Sequence, residues 1–359
     1  MLVDTLALVS ANYFSSNRVA VFSDLHIGVH QNSRAWHSIA ECWARWIIEE
    51  LKSKNIRDIV FCGDFFHTRD EVSVDTLHFG SRLLEMFQDF HVTLITGNHD
   101  CYLKDSSAIN SLAPFKHWRN VTVVQETMQV ASHGRTFSFV PWGVAACDIP
   151  KNNDIVFGHF EINLFKMNTF FICDHGVDAK ELLQHAPLVI SGHFHLRDER
   201  KYGNGTILYV GNPFEMDFND AGASKGYYVL DVATNAYEFH ENTQSPKHHN
   251  ITLSSMVQAG TITPQHREAF RDNLVKLKID RRIAPDDTDV LLAKLKMLQP
   301  RQFVVEYETN FNDYDVNDRK DLSSIDMEQA IREFIDLMDI NNRKEVAEYT
   351  IDLFRRTRK

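Results

Sequence analysis

Five short polar motifs, each closing a run of apolar residues, set the tightest limits on what this chain can fold into. Asp24-x-His26 follows the run 18–22, Gly63-Asp64 follows 58–62, and Gly97-Asn98-His99-Asp100 follows 91–95. Gly158-His159 follows 154–157, and Gly192-His193-x-His195 follows 188–190. A short apolar run that ends in a polar turn reads as a buried strand. Between the first three runs, Trp36, Ile39, Ala40, Trp43, Ile47 and Leu51 recur at helical spacing within residues 32–51, and residues 73–87 predict a second helix. Asn32 or Ser33 is the expected cap of the first. Strands alternating with helices imply right-handed crossovers and a largely parallel sheet. Ligands in such sheets gather at the carboxyl ends of strands, where these motifs fall.

The later part of the core is richer in strands, with apolar runs at 136–140, 154–157, 188–190, 206–210 and 226–232. The expected fold class is α/β: two stacked sheets with helices outside, spanning residues 18 to about 241. The polar stretch 242–250 reads as a linker. Beyond it, strands at 274–279 and 303–307 flank a helix at 287–298, bounded by Pro285 and Pro300, which makes a small α/β unit. Two amphipathic helices are expected to close the chain. The predicted divisions are therefore 1–17, an extension without a clear period that reads as a flexible arm or an added edge strand; 18–245, the main domain; 246–312, the small unit; and 313–359, a polar segment with the helical pair.

Composition narrows the function. The 359 residues carry a net charge of -11, which argues against a protein that coats DNA along its surface but not against one that handles phosphate through bound cations. The five cysteines are odd in number and widely spaced, the usage expected of reduced thiols in a cytoplasmic protein. No apolar run approaches the ~20 residues that span a bilayer. The first residues lack the basic region and the cleavage site of a signal peptide, so none is expected. Histidine is the unusual residue, with 18 copies, several beside glycine at strand ends.

Seven candidate metal ligands emerge: Asp24, His26, Asp64, Asn98, His159, His193 and His195. Residues two apart on an extended strand point to one side, so Asp24 and His26 are expected to reach one ion, and so are His193 and His195. Seven oxygen and nitrogen donors exceed one tetrahedral site and suit two adjacent ions sharing a carboxylate. The absence of a thiolate from the set fits a catalytic pair of Mn²⁺, Fe or Zn²⁺ ions. Taken singly, each motif has a plain explanation as polar residues in a loop. His30, His37, His78, His91, His117, His133, His175, His185, His240, His248, His249 and His266 are read that way. Five motifs in order, each at a strand end, are not explained by chance.

This ordered set resembles the signature of the calcineurin-like metallophosphoesterases over roughly residues 18–195. The resemblance implies a two-sheet metallophosphoesterase sandwich with Asp24, His26, Asp64 and His195 on one ion, and Asp64, Asn98, His159 and His193 on the other. Asp64 would bridge. His99 would contact phosphate or act as general acid, oriented by Asp100.

Gly63-Asp64-Phe65-Phe66-His67 is similar to the SbcD-type DNA repair and recombination nucleases, in which the added histidine contacts substrate phosphate. Spacing alone leaves His67 evenly balanced between that role and a polar residue at a helix start. The stretch 158–163 resembles the phage recombination nucleases, while 209–214 and 225–227 resemble the end of the SbcD-type nuclease domain. The resemblance implies a Mn²⁺-dependent DNA exonuclease and endonuclease that dimerises, with the small α/β unit as a capping domain. The C-terminal helices would bind an SMC-like ATPase. Candidate partner-binding residues are Ile331, Phe334, Ile335, Met338, Tyr349 and Leu353. A stand-alone hydrolase of small or cyclic phosphodiesters is the alternative enzyme, and a non-enzymatic scaffold of the same fold is the alternative from another class.

Overall fold

The computed structural model describes residues 12–167, 171–281, 283–308, 328, 331–332, 335 and 342–357. Two six-stranded mixed sheets build the core. The first contains β1 (Arg18–Phe22), β2 (Asp58–Phe61), β3 (His91–Ile95), β6 (Val121–Val124), β13 (Gly226–Asp231) and β14 (Ala236–Glu241), in the order β14-β13-β1-β2-β3-β6. The second contains β7 (Met128–Ser132), β8 (Arg135–Val140), β9 (Ile155–His159), β10 (Leu188–Gly192), β11 (Asp198–Tyr202) and β12 (Gly205–Tyr209), in the order β11-β12-β10-β9-β8-β7. Each sheet has a parallel centre: β1 to β2, β2 to β3 and β3 to β6 in one, and β8 to β9, β9 to β10 and β10 to β12 in the other. A two-stranded hairpin, β4 (Cys101–Leu103) with β5 (Ser106–Asn110), stands apart.

Alternation along the strands decides which layer each side chain joins. Val19 and Val21 of β1 pack between the sheets with Phe137, Phe157, Ile190 and Leu208. Their neighbours Ala20 and Phe22 face the opposite way, onto Trp36, Ile39 and Trp43 of helix Arg34–Ser53 and Leu83 of helix Val74–Met86. Ser73 caps the second helix by accepting the N–H of Thr76 at 3.2 Å. Ser33 stands at the cap of the first without a side-chain hydrogen bond.

Two expectations need correction, and one feature was not foreseen. Residues 12–17 are neither a loose arm nor a strand. Phe14 is fully buried between the sheets, its N–H donates to Ser132 Oγ, and Ser15 donates to Asp58. Residues 1–11 lie outside the described residues. The stretch 242–250 is not a tether. Asn242 and Ser245 are buried, the Asn242 amide donates to the Pro213 carbonyl and Ser245 Oγ, and His248 opens a strand. Polar residues that satisfy one another internally look like a linker when read as composition alone. Finally, edge strands such as β11, with the sequence Asp-Glu-Arg-Lys-Tyr, were not expected because they carry charge instead of an apolar run.

The small unit is a sheet of β15 (His248–Thr252), β16 (Leu274–Ile279) and β17 (Gln302–Tyr307). Met256, Phe270, Val275, Leu277 and Leu295 form its core with helices Leu253–Gln258, Pro264–Phe270 and Pro285–Lys296.

Packing divides the chain into Met1–Glu306 and Tyr307–Lys359. In the second unit, helix Arg343–Thr357 buries Ala347 and Ile351 and exposes Val346, Tyr349 and Leu353. Arg332 pairs with Glu348 at 2.8 Å and Arg355 with Glu328 at 2.8 Å. Ile335 is only 4% exposed, so it is a packing residue and not an available contact surface, while Ile331 is half-buried. Phe334, Met338 and the polar stretch 310–320 lie outside the described residues. Among the described residues no helix is long and apolar enough to cross a membrane.

Candidate metal centre

The loops after β1, β2, β3, β9 and β10 meet at one end of the sandwich. The loop after β1 runs beside the loop after β2: the N–H of Asp24 donates to the Gly63 carbonyl at 2.9 Å, and that of His26 to the Asp64 carbonyl at 3.1 Å. Asp24, His26, Asp64 and His193 all have positive φ, between 45° and 94°. The expectation of extended-strand geometry therefore fails, because the strands end before the ligands begin. Left-handed backbone turns these side chains inward, and such conformations persist where the surroundings over-determine them. Glycine permits the approach of one loop to the next. A Cβ on Gly97 would lie 2.2 Å from Asp64 Oδ1, and one on Gly63 would lie 2.3 Å from His159 Nδ1.

Two trios result. Asp24, His26 and His195 present ligand atoms within 4.8 Å of one another, and so do Asp64, His159 and His193. Asp64 Oδ2 stands between them, 3.2 Å from His159 Nε2 and 3.6 Å from His26 Nε2. Asn98 Oδ1 joins the second trio, 2.9 Å from both His159 Nε2 and His193 Nδ1. His26 Nε2 and His195 Nε2 are 3.0 Å apart.

The donor chemistry fits cations. His159 Nδ1 is 2.7 Å from the Cys62 carbonyl, which can only accept, so the Nδ1 proton is fixed there. Nε2 lies against the Asp64 carboxylate and the Asn98 oxygen, where it carries a second proton in the free protein and would turn a lone pair once a cation displaced that proton. With that proton displaced, one nitrogen and two oxygens would face one point as ligands, a donor set that suits a metal ion. Electrostatics agrees. Burial pushes Asp24 up to about 7. Burial also opposes the charge on Asp64 and on His159, but each outweighs that cost for the other. Asp64 is held below the usual carboxylate range and His159 is raised to about 9. Burial lowers His26, His193 and His195, the last to about 4, leaving these rings neutral and able to coordinate.

His67 and His99 stand at the rim beside His26. Their rings stack at 5.5 Å with 16° between planes. His99 Nδ1 bonds to the His67 carbonyl, and the His99 N–H donates to Asp64 Oδ1 at 2.8 Å. Asp100 does not orient His99. Its carboxylate accepts the backbone N–H groups of Gly97, Asp64, Phe65 and Phe66 at 2.9–3.2 Å, and so clamps the Asp64 loop. Sequence order suggested the neighbour, but the peptide turns Asp100 inward, where it is fully buried.

Three supports were not anticipated. Trp142 packs 5.2 Å from the His193 ring, and nothing in its sequence context marks it. Glu161 Oε1 is 3.6 Å from His193 Nε2, within the 158–163 stretch. Lys225, of the 225–227 stretch, reaches the His195 carbonyl at 2.9 Å and Asp220 at 2.6 Å.

This centre, at the carboxyl ends of parallel strands in a two-sheet sandwich, defines a metal-dependent phosphoesterase. The sequence profile of the calcineurin-like phosphoesterases matches residues 17–206, and the chain belongs to that family. Exonuclease subunit 1 of Enterobacteria phage T4 is 25% identical over 239 residues, 63% of this chain and 68% of that one. The SbcD component of nuclease SbcCD from Escherichia coli strain K12 is 21% identical over 283 residues, 64% and 68% of the two chains. A solved archaeal phosphodiesterase aligns over 63% of this chain and 99% of its own, at 14% identity and a TM-score of 0.35.

Proposed function

We propose that the chain is a Mn²⁺-dependent DNA nuclease, the phosphodiester-cleaving subunit of a complex with an SMC-like ATPase. The observation that carries this reading is the stacked His67–His99 pair set against the Asp64-centred trios. Two imidazoles at the rim suit a diester, whose departing oxygen needs a proton while its remaining phosphate oxygens need hydrogen-bond donors. Similarity to a phage exonuclease subunit and to a bacterial nuclease component supports the same reading.

Asp24, His26, Asp64 and His195 would hold one ion, and Asp64, Asn98, His159 and His193 the other. Bound there, two divalent ions would neutralise phosphoryl charge and lower the pKa of a coordinated water. The residues of the chain do the rest. Cys62 fixes the tautomer of His159 through its carbonyl. The His67 carbonyl fixes the proton of His99 on Nδ1, so Nε2 is the atom left to exchange a proton with substrate. Asp100 holds the Asp64 loop in register with Gly97.

The deciding experiment is a Mn²⁺-dependent assay on linear duplex and single-stranded DNA, with and without the cognate ATPase. Degradation that is stimulated by the ATPase is expected. Cleavage of a small chromogenic diester together with inactivity on DNA under both conditions would overturn the reading.

A further inference from the structure

A second group of side chains able to hold a metal ion, Glu161, Cys173 and His175, lies outside the two trios. The chain leaves β9 through Glu161 and returns past Cys173 and His175. Backbone bonds lay the two passes together: the N–H of Leu164 donates to the Cys173 carbonyl, that of Cys173 to the Phe165 carbonyl, and that of Val177 to the Glu161 carbonyl, each at 2.8 Å. Cys173 and His175 are two apart on the return pass. One ligand atom from each of Glu161, Cys173 and His175 lies within 4.8 Å of the other two.

The orientation of His175 is the informative detail. Its Nδ1 is 2.8 Å from Asp174 Oδ1, and its Nε2 is 3.2 Å from Glu161 Oε1. A metal-binding imidazole usually gives its other N–H to a carboxylate, and Asp174 fills that place. Nitrogen and oxygen donors on one tetrahedral zinc, with bonds of about 2.0–2.1 Å, stand about 3.3 Å apart. The Glu161–His175 spacing matches this. Cys173 is fully buried, and its thiol donates to the His175 carbonyl at 3.1 Å. A partly exposed glutamate–histidine pair contributes little by itself, and here a buried sulfur stands within reach of both groups.

We propose that Glu161, Cys173 and His175 form a third metal site that takes zinc. Thiolate, imidazole and carboxylate together suit a borderline, four-coordinate ion such as zinc, with water in the fourth position. Binding replaces the thiol proton of Cys173 with a sulfur–metal bond and releases that proton to solvent. The ion would staple the return pass to the end of β9. It would also fix Glu161, whose Oε1 faces His193 of the catalytic centre. The site is independent of the nuclease reading, since the two trios contain no sulfur donor.

That difference supplies the test. The full-length protein is loaded with Co²⁺ alone, and its near-ultraviolet spectrum is recorded beside its metal content. A thiolate–cobalt charge-transfer band is expected, together with one bound ion more than the two trios hold. Cys173→Ser should remove the band and that ion, while Asp64→Asn should lower metal content and leave the band. No band in the unaltered protein, or a band that survives Cys173→Ser, would overturn the proposal. If Cys173→Ser does not fold, His175→Ala at its exposed position decides: the band must need more cobalt to appear, and an unchanged cobalt titration overturns the site.

Discussion

Asp64 accepts the backbone N–H of His99 on Oδ1 at 2.8 Å while its Oδ2 faces His159 at 3.2 Å. One carboxylate thus ties the residue proposed for proton transfer to the residues proposed for metal binding. Asp64→Asn removes the charge and sets an amide where a ligand oxygen is needed. Metal content should fall and DNA cleavage should vanish. Two ions per chain with near-normal turnover would remove Asp64 from the bridge.

His99→Gln should keep both ions and lower the cleavage rate by about 10²–10⁴-fold, the usual contribution of a general acid or base. Metal analysis run beside the rate separates the possibilities. Loss of metal makes His99 a ligand, and an unchanged rate takes it out of the mechanism. His67→Ala should show the milder loss, read on DNA ends.

Metal affinity should depend on pH in a defined direction. His159, raised to about 9, and Asp24, raised to about 7, hold protons that a cation must displace. Between pH 9 and 7 one proton competes, so affinity should fall about tenfold per unit as pH falls. Below pH 7 two compete, and the fall should steepen toward about a hundredfold per unit. Calorimetric Mn²⁺ titrations from pH 6 to 9 check this, and a flat profile contradicts it.

Lys225 and Asp220 form a buried ion pair under His195. Burial opposes the charge of Asp220, but Lys225 outweighs it and holds the acid below the usual range. The pair's stabilisation is therefore present above the unfolded carboxylate pKa and is lost as pH falls through the lower, folded value. Lys225→Met leaves a buried charge without its partner and should cost about 3–5 kcal/mol in urea unfolding at pH 7. Adding Asp220→Asn should recover part of it. A double variant no more stable than the single one would show that the cost lies elsewhere.

Tyr349 and Leu353 are 67% and 45% exposed on helix Arg343–Thr357. If this face meets the ATPase, Tyr349→Ser with Leu353→Ser should weaken the complex by more than about 1 kcal/mol. The unfolding free energy should shift by no more than about 0.5 kcal/mol, as for other surface changes. Unchanged affinity in a binding titration would send the partner surface elsewhere.

Sequence alone carried the strands β1, β2, β3, β9 and β10, the two long helices and the seven candidate donors that the fold brings together. Apolar runs and helical periodicity are local, and a residue type suited to metal at a strand end needs no distant partner to be recognised. It did not carry the backbone that aims those donors. Asp24 and Asp64 turn inward on left-handed φ held by hydrogen bonds between separate loops, and no local preference announces that. The hydrogen bonds of Asp100 escaped for the same reason, since adjacency suggested His99 whereas the fold gave its carboxylate to four N–H groups. The folded stretch at 242–250 and the burial of Ile335 and Phe14 were likewise tertiary decisions. Composition and period say that a residue is polar or apolar. Only the packed chain decides which polar groups satisfy one another and which apolar ones find a core.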